Sequence, residues 1–159
     1  MRQSLGPGLR KHWHRLTALP AGRQLFSRLL GRFVPYSGCL GATVDVLEPG
    51  RCVVILKDRR KLRNHLNSVH AMALANLGEI ATGMALMNSL PDNTRGILRR
   101  FEIDYLKKAR GLLTAECDCE IPANNDEREV VVNCDIRDSA DDVVSVVTAH
   151  WLIGPEQAR

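Results

Sequence analysis

Aromatic residues are scarce in this chain: two Trp, two Tyr and three Phe make up 4% of its 159 residues. Any core must therefore rest on Leu, Val, Ile, Ala and Met. No apolar run approaches the ~20 residues that a helix needs to cross a bilayer, so no membrane span is expected. The five cysteines, Cys39, Cys52, Cys117, Cys119 and Cys134, are odd in number and form no CxxC pair. That speaks against a disulfide framework and against a zinc site, so no metal is expected. Cys117 and Cys119 would share one face of a strand as core residues, and a reducing, cytoplasmic setting follows. Acids are absent before Asp45, while residues 1–44 hold seven Lys or Arg. The whole chain carries a formal charge of +4, so the remainder is net negative. A basic front admits nucleic acid, an anionic membrane, a targeting peptide or a plainly solvated face. No aromatic platform accompanies the charges, so nucleic acid is not expected as a partner. Residues 1–15 lack the continuous apolar stretch of a secretory signal, although they are Arg-rich and acid-poor like an organelle transit peptide.

What is present suffices for one folded domain, with 45% hydrophobic and 25% charged residues. Residues 1–20 read as a basic N-terminal arm, loose over 1–15 around Gly6-Pro7-Gly8, and 21–159 as a single domain. Over 21–34, Leu25, Phe26, Leu29, Leu30 and Phe33 recur at helical spacing as one apolar stripe, with Arg28 and Arg32 off it. Leu40–Leu47 and Cys52–Leu56 predict a hairpin closed at Pro49-Gly50. Lys57–Asn67 is polar and basic and reads as a loop. Val69–Met87 is the longest apolar segment, a helix with almost no polar face, which Ser68 or Asn67 can cap. Four strands follow with period two, Ile97–Leu106, Leu112–Ile121, Glu129–Arg137 and Val143–Ile153, and short links imply meander pairing.

A helix apolar on all sides must be buried on all sides. Inside a chain of strands this requires a sheet that curls around it. The expected fold is therefore α+β: the hotdog arrangement, a curved antiparallel β-sheet wrapped around one long central helix, with an extra N-terminal helix.

The residues able to carry chemistry crowd the start of that helix, Asn64-His65-Leu66-Asn67-Ser68-Val69-His70-Ala71, with one acid, Glu79, further along. A buried carboxylate is costly unless paired, and burial raises its pKa into the range of a general base. The first N–H groups of a helix lack intrahelical partners and can stabilise a developing oxyanion; Ala71 is small and in the first turn, so its N–H can be approached. His70 and Glu79 are nine residues apart on one helix, which separates them by ~13 Å and points them to opposite sides. If both act on one small group, a second copy of the chain must supply one of them, as a twofold homodimer does.

The run N-x-x-x-x-x-H-x-x-x-L-x-x-L-x-E, here Asn64, His70, Leu74, Leu77 and Glu79, resembles the signature N-G-x-G-x-x-H-G-G-x-L-x-x-L-x-D of phenylacetic-acid-type hotdog thioesterases. The stretch Tyr105-Leu106-Lys107-Lys108-Ala109 is similar to that family's Y-L-x-P-A strand end. The resemblance covers residues 38–153 and implies hydrolysis of an acyl-CoA or acyl-carrier-protein thioester at a site shared between two subunits. It implies Glu79 as base or nucleophile, the Ala71 N–H as carbonyl-polarising donor, Asn64 as the group positioning water or substrate, and His70 as a loop-shaping contact. Coenzyme A enters as part of the substrate, so no separate cofactor is expected. Its phosphates call for cations, for which Arg59, Arg60, Arg63, Arg99, Arg100, Lys107 and Lys108 are the candidates. The expected assembly is a homodimer, which further pairing would make a tetramer. Ala71 and Met72 replace the family's two glycines, Leu98 stands where a Ser or Thr is common, and Lys108 replaces the proline. Two rival readings follow: an acyl-CoA-binding module without turnover, and a 3-hydroxyacyl thioester dehydratase built on His65 and Glu79.

Overall fold

The computed structural model describes residues 5–156. The order is helices α1 (Leu5–Thr17), α2 (Gly22–Phe33) and α3 (Pro35–Gly38), strands β1 (Thr43–Glu48) and β2 (Arg51–Lys57), helix α4 (Ala71–Ser89), and strands β3 (Thr94–Tyr105), β4 (Leu112–Asp118), β5 (Arg128–Arg137) and β6 (Val143–Pro155). All six strands form one antiparallel sheet in the order β1-β2-β4-β5-β6-β3. The long helix packs on its concave face, giving the expected hotdog architecture. No helix among the described residues is long and apolar enough to cross a membrane.

Three expectations need correcting. Residues 1–15 are not loose where they are described: Leu5–Thr17 is helical. The Trp13 ring meets Phe26 of α2 edge-on at 5.0 Å and is buried there. Arg10 of α1 donates to the carbonyls of Asn88 and Leu90 at 2.8 and 3.2 Å, closing the C-terminal end of α4 with positive charge. The basic arm is thus part of the packed unit, because Leu9, Trp13 and Leu16 pack against the core and outweigh the turn-forming glycines. Second, the meander holds only for β4, β5 and β6; β3 crosses over to pair with β6 and becomes an edge. Third, neither Ser68 nor Asn67 caps α4. His70 does, its Nδ1 accepting from the Met72 N–H at 3.1 Å.

The core lies between α4 and the inner faces of the strands. Cys52, Cys117 and Cys134 sit side by side on β2, β4 and β5, all buried, as Leu56, Leu113 and Ile136 are. Burial holds these thiols in their neutral form. Gly78 and Gly83 let α4 approach β6, though against side chains rather than backbone. A β-carbon at Gly78 would stand 2.5 Å from Val147 Cγ2, and one at Gly83 would stand 3.2 Å from Trp151 Cη2.

Candidate functional site

Helix α4 is not buried on every side. Met72 is 59% exposed and Ala75 and Glu79 are half-buried, so one strip of the helix looks out of the core. Strand β3 also packs against α4. Its pairing with β6 sets Gly96, Leu98, Phe101, Ile103 and Tyr105 opposite the buried Ile153, Trp151, Ala149, Val147 and Ser145. These five β3 residues therefore share the concave face with α4, and Leu98, Phe101 and Ile103 are only partly covered by the core. Strand β3 is the last strand of the sheet, and from Arg95 to Tyr105 its other edge pairs with no strand among the described residues.

Glu79 has no ion pair and no side-chain hydrogen bond among the described residues, and burial raises its carboxyl pKa above the ordinary value. Its Oε1 lies 3.9 Å from the point a Gly83 β-carbon would occupy, the same point that the Trp151 ring borders. Gly83 thus keeps an opening between carboxyl group and indole. The Trp151 Nε1–H and, on the same face of β6, the Ser145 hydroxyl are buried without a hydrogen-bond partner among the described residues. Sequence reasoning missed both, since each occupies an ordinary inward position in an alternating strand.

The other three candidates gather at the start of α4. Asn64 organises the preceding loop: its Oδ1 accepts from the N–H of Leu66 (2.9 Å), the N–H of Ser68 (3.3 Å) and the Ser68 hydroxyl (3.2 Å). This is the behaviour of a short carboxamide folding its own backbone. The loop is pinned outward by Val69 N–H to Ala109 O and His70 N–H to Leu62 O. The Ala71 carbonyl accepts from the Tyr105 hydroxyl at 3.1 Å, joining β3 to the helix start. The Ala71 N–H has no partner among the described residues. Within one chain, then, Asn64, His70 and Ala71 come together. Glu79 lies eight residues beyond Ala71, ~12 Å along the unbroken helix.

The expected phosphate-binding cations divide. Arg59 is folded in, donating to the Leu40 carbonyl. Arg63 forms a two-pronged pair with Asp58 at 2.7 and 3.1 Å, which holds the Asp58 carboxyl below its ordinary pKa. Lys107 is paired with Asp138 and Asp142, and Arg100 with Glu102. Arg100 also shares the outer face with His150, on the far side of the sheet from α4. Arg60, Arg99 and Lys108 are exposed without an ion pair among the described residues. Near the start of α4, Lys57, Asp58, Arg63, Asn67, Arg110, Gly111 and Leu112 line an open groove of about 460 Å³. Arg110, which donates to the carbonyls of Asn67 and Leu66, stands there with Arg63.

No curated protein matches this sequence. Among solved structures, a structural-genomics protein, APC5556, is 27% identical, with 95% of this chain and 98% of that one covered and a TM-score of 0.79. A Pseudomonas aeruginosa protein, PA5026, described as of unknown function and a probable thioesterase, is 19% identical over 87% of this chain and 97% of its own, with a TM-score of 0.74. A Silicibacter pomeroyi protein described as of a thioesterase family is 17% identical over 81% and 96%, with a TM-score of 0.69. They share the fold described above. The model of one family, described as Domain of unknown function (DUF4442), matches residues 22–153, from α2 to near the end of β6, and the chain belongs to that family.

Proposed function

We propose that the protein is an acyl-CoA thioesterase of the phenylacetic-acid type, working as a homodimer whose sites are shared between two copies. The observation that carries this is Glu79: a lone carboxyl group, half-buried, without a counter-ion among the described residues, near Trp151, which pairs across the sheet with the partly covered Leu98. Solved relatives in fold that are described as thioesterases support the reaction class. In this reading the Glu79 carboxylate takes a proton from water as the water oxygen attacks the thioester carbon. The oxyanion forms against the unpaired Ala71 N–H at the positive end of α4 of the other copy. The C–S bond then breaks, the thiolate takes up the proton, and a carboxylic acid and the free CoA thiol leave.

Two features favour a shared site. The helix keeps Ala71 and Glu79 too far apart to meet one carbonyl, and β3, an edge strand of the sheet, is a template for a second strand. His70 acts through its cap on the helix, and Asn64 by holding the loop, its Nδ2 donors left for substrate. The CoA phosphates belong with the cations around the helix start, Arg60, Lys108 and Arg110, beside Arg63, whose charge Asp58 already shares; Arg59, Arg99, Arg100 and Lys107 hold more distant or already paired places. CoA is part of the substrate and no further cofactor is required. Five free cysteines suit a reducing, cytoplasmic setting.

The saturated Asn64 Oδ1 favours a second reading, a module that binds acyl-CoA without hydrolysing it. Both are tested by following thiol release from short, long and aromatic acyl-CoAs with wild type and Glu79→Gln. Turnover abolished by the Gln variant supports the thioesterase. Tight binding with no turnover by folded, dimeric wild type supports the module.

A further inference from the structure

The apolar stripe read from residues 25–33 is wider than the core uses. Phe26 is buried and Leu30 half-buried, but Leu25 is 41%, Leu29 50% and Phe33 72% exposed. Those three stand at i, i+4 and i+8, one row along the outward face of α2. Tyr36, 71% exposed, and Val34, 40% exposed, continue the row where the helix ends. Arg28 and Arg32 are exposed and fall within ~60° of Leu25 on the same helix surface.

Most of the cations around this row have no ion pair among the described residues. Arg23 is paired with Asp45 at 2.6 Å and Arg10 closes α4. Lys11, Arg15, Arg28 and Arg32 are exposed with no ion pair among the described residues, and the sequence holds no acid before Asp45. Helix α2 is itself docked from behind: the Ser27 hydroxyl accepts from the Val44 N–H at 2.9 Å. Its outward row is therefore presented on a fixed support.

We propose that the outward face of α2, with the turn through Tyr36, docks the protein onto an anionic lipid bilayer. Leu25, Leu29 and Phe33 enter the headgroup–acyl boundary, the Tyr36 ring sits at headgroup level, and Arg28 and Arg32 meet lipid phosphates. Charge decides against the other occupants. A twofold contact between copies through this face would set Arg28 and Arg32 of one copy against those of the other. A nucleic acid would satisfy the arginines and leave the Leu and Phe row without a partner. The proposal is independent of the catalytic reading, since membrane docking requires no turnover.

The test is co-sedimentation of the full chain with vesicles of mixed phosphatidylcholine and phosphatidylglycerol and with vesicles of phosphatidylcholine alone. Wild type should bind the anionic vesicles at least about tenfold more tightly. Leu29→Ser/Phe33→Ser and Arg28→Glu/Arg32→Glu should each lose about tenfold or more. Thermal melts of both variants check that the fold is kept. Wild type that fails to bind anionic vesicles, or a Ser/Ser variant that binds them as wild type does, overturns the proposal. So does a Ser/Ser variant whose only change is a smaller assembly by light scattering, which would assign the face to a second copy. Salt-sensitive oligonucleotide binding in place of vesicle binding would assign it to nucleic acid.

Discussion

Helix α4 carries a carboxyl group into an apolar layer, whereas α2 carries a row of apolar side chains out into solvent. Both arrangements cost free energy. An unpaired half-buried carboxylate gives up hydration, and exposed Leu and Phe side chains keep apolar area in water. Both helices are otherwise well placed, with Leu77 and Phe26 packed inward. The difference teaches where each cost is met. At Glu79 the surrounding fold absorbs it and a carboxyl of raised pKa results; on α2 it remains at the surface, for a partner to remove.

Glu79 is the position where a single substitution should tell most. Glu79→Gln should lower kcat for acyl-CoA hydrolysis by about a hundredfold or more, as loss of a general base does. Thiol release measures it, and a variant as fast as wild type would remove α4's polar exception from the mechanism. Next in size is the packing that holds the carboxyl in place. Leu77→Ala, at a fully buried position, should cost about 2–5 kcal/mol in denaturant unfolding. Gly78→Ala should cost about 1–3 kcal/mol, because its new methyl meets Val147.

A smaller effect follows from the raised pKa of Glu79. Stability from a carboxyl whose pKa is raised on folding is fully present below its unfolded value and is lost as pH climbs through the folded value. At neutral pH the charged group is a cost. Glu79→Gln should therefore melt a few degrees higher than wild type at neutral pH and converge with it in acid. In wild type the acid limb of kcat/KM should lie above the ordinary carboxyl value of 4.5. The smallest effect belongs to α2: Leu29→Ser/Phe33→Ser should shift stability by only about 0.5 kcal/mol, since neither side chain is in the core. A large loss there would show that the row packs, and would erase the contrast with α4.

Much of this was legible in the residues because periodicity reports burial. The row from Ala73 to Leu86 predicts one long inner helix, and the alternation through Val132, Cys134 and Ile136 predicts a strand with one buried face. Both are local properties of spacing. The unusual company of Glu79, among Gly78, Ile80 and Ala81, was likewise visible. Less legible was anything that depends on which element lies beside which. Short links suggested that β3 pairs with β4, yet β3 joins β6, because the concave face of the sheet must close over α4. Gly6-Pro7-Gly8 suggested a loose arm, yet Trp13 finds Phe26 and fixes a helix.

The sequence alone determined the six strands, the long apolar helix, the position of its one acid and the acid-free basic front. Only the tertiary structure decided that Met72, Ala75 and Glu79 form the open strip of α4 and that β3 is a free edge. It alone decided that Arg63 and Lys107 are already paired, and that the outer half of the α2 stripe has no core to enter. The physical reason is range. Side-chain spacing along a helix or strand is set within a few residues, whereas exposure and pairing depend on neighbours that are distant in the chain and meet only when the sheet curls.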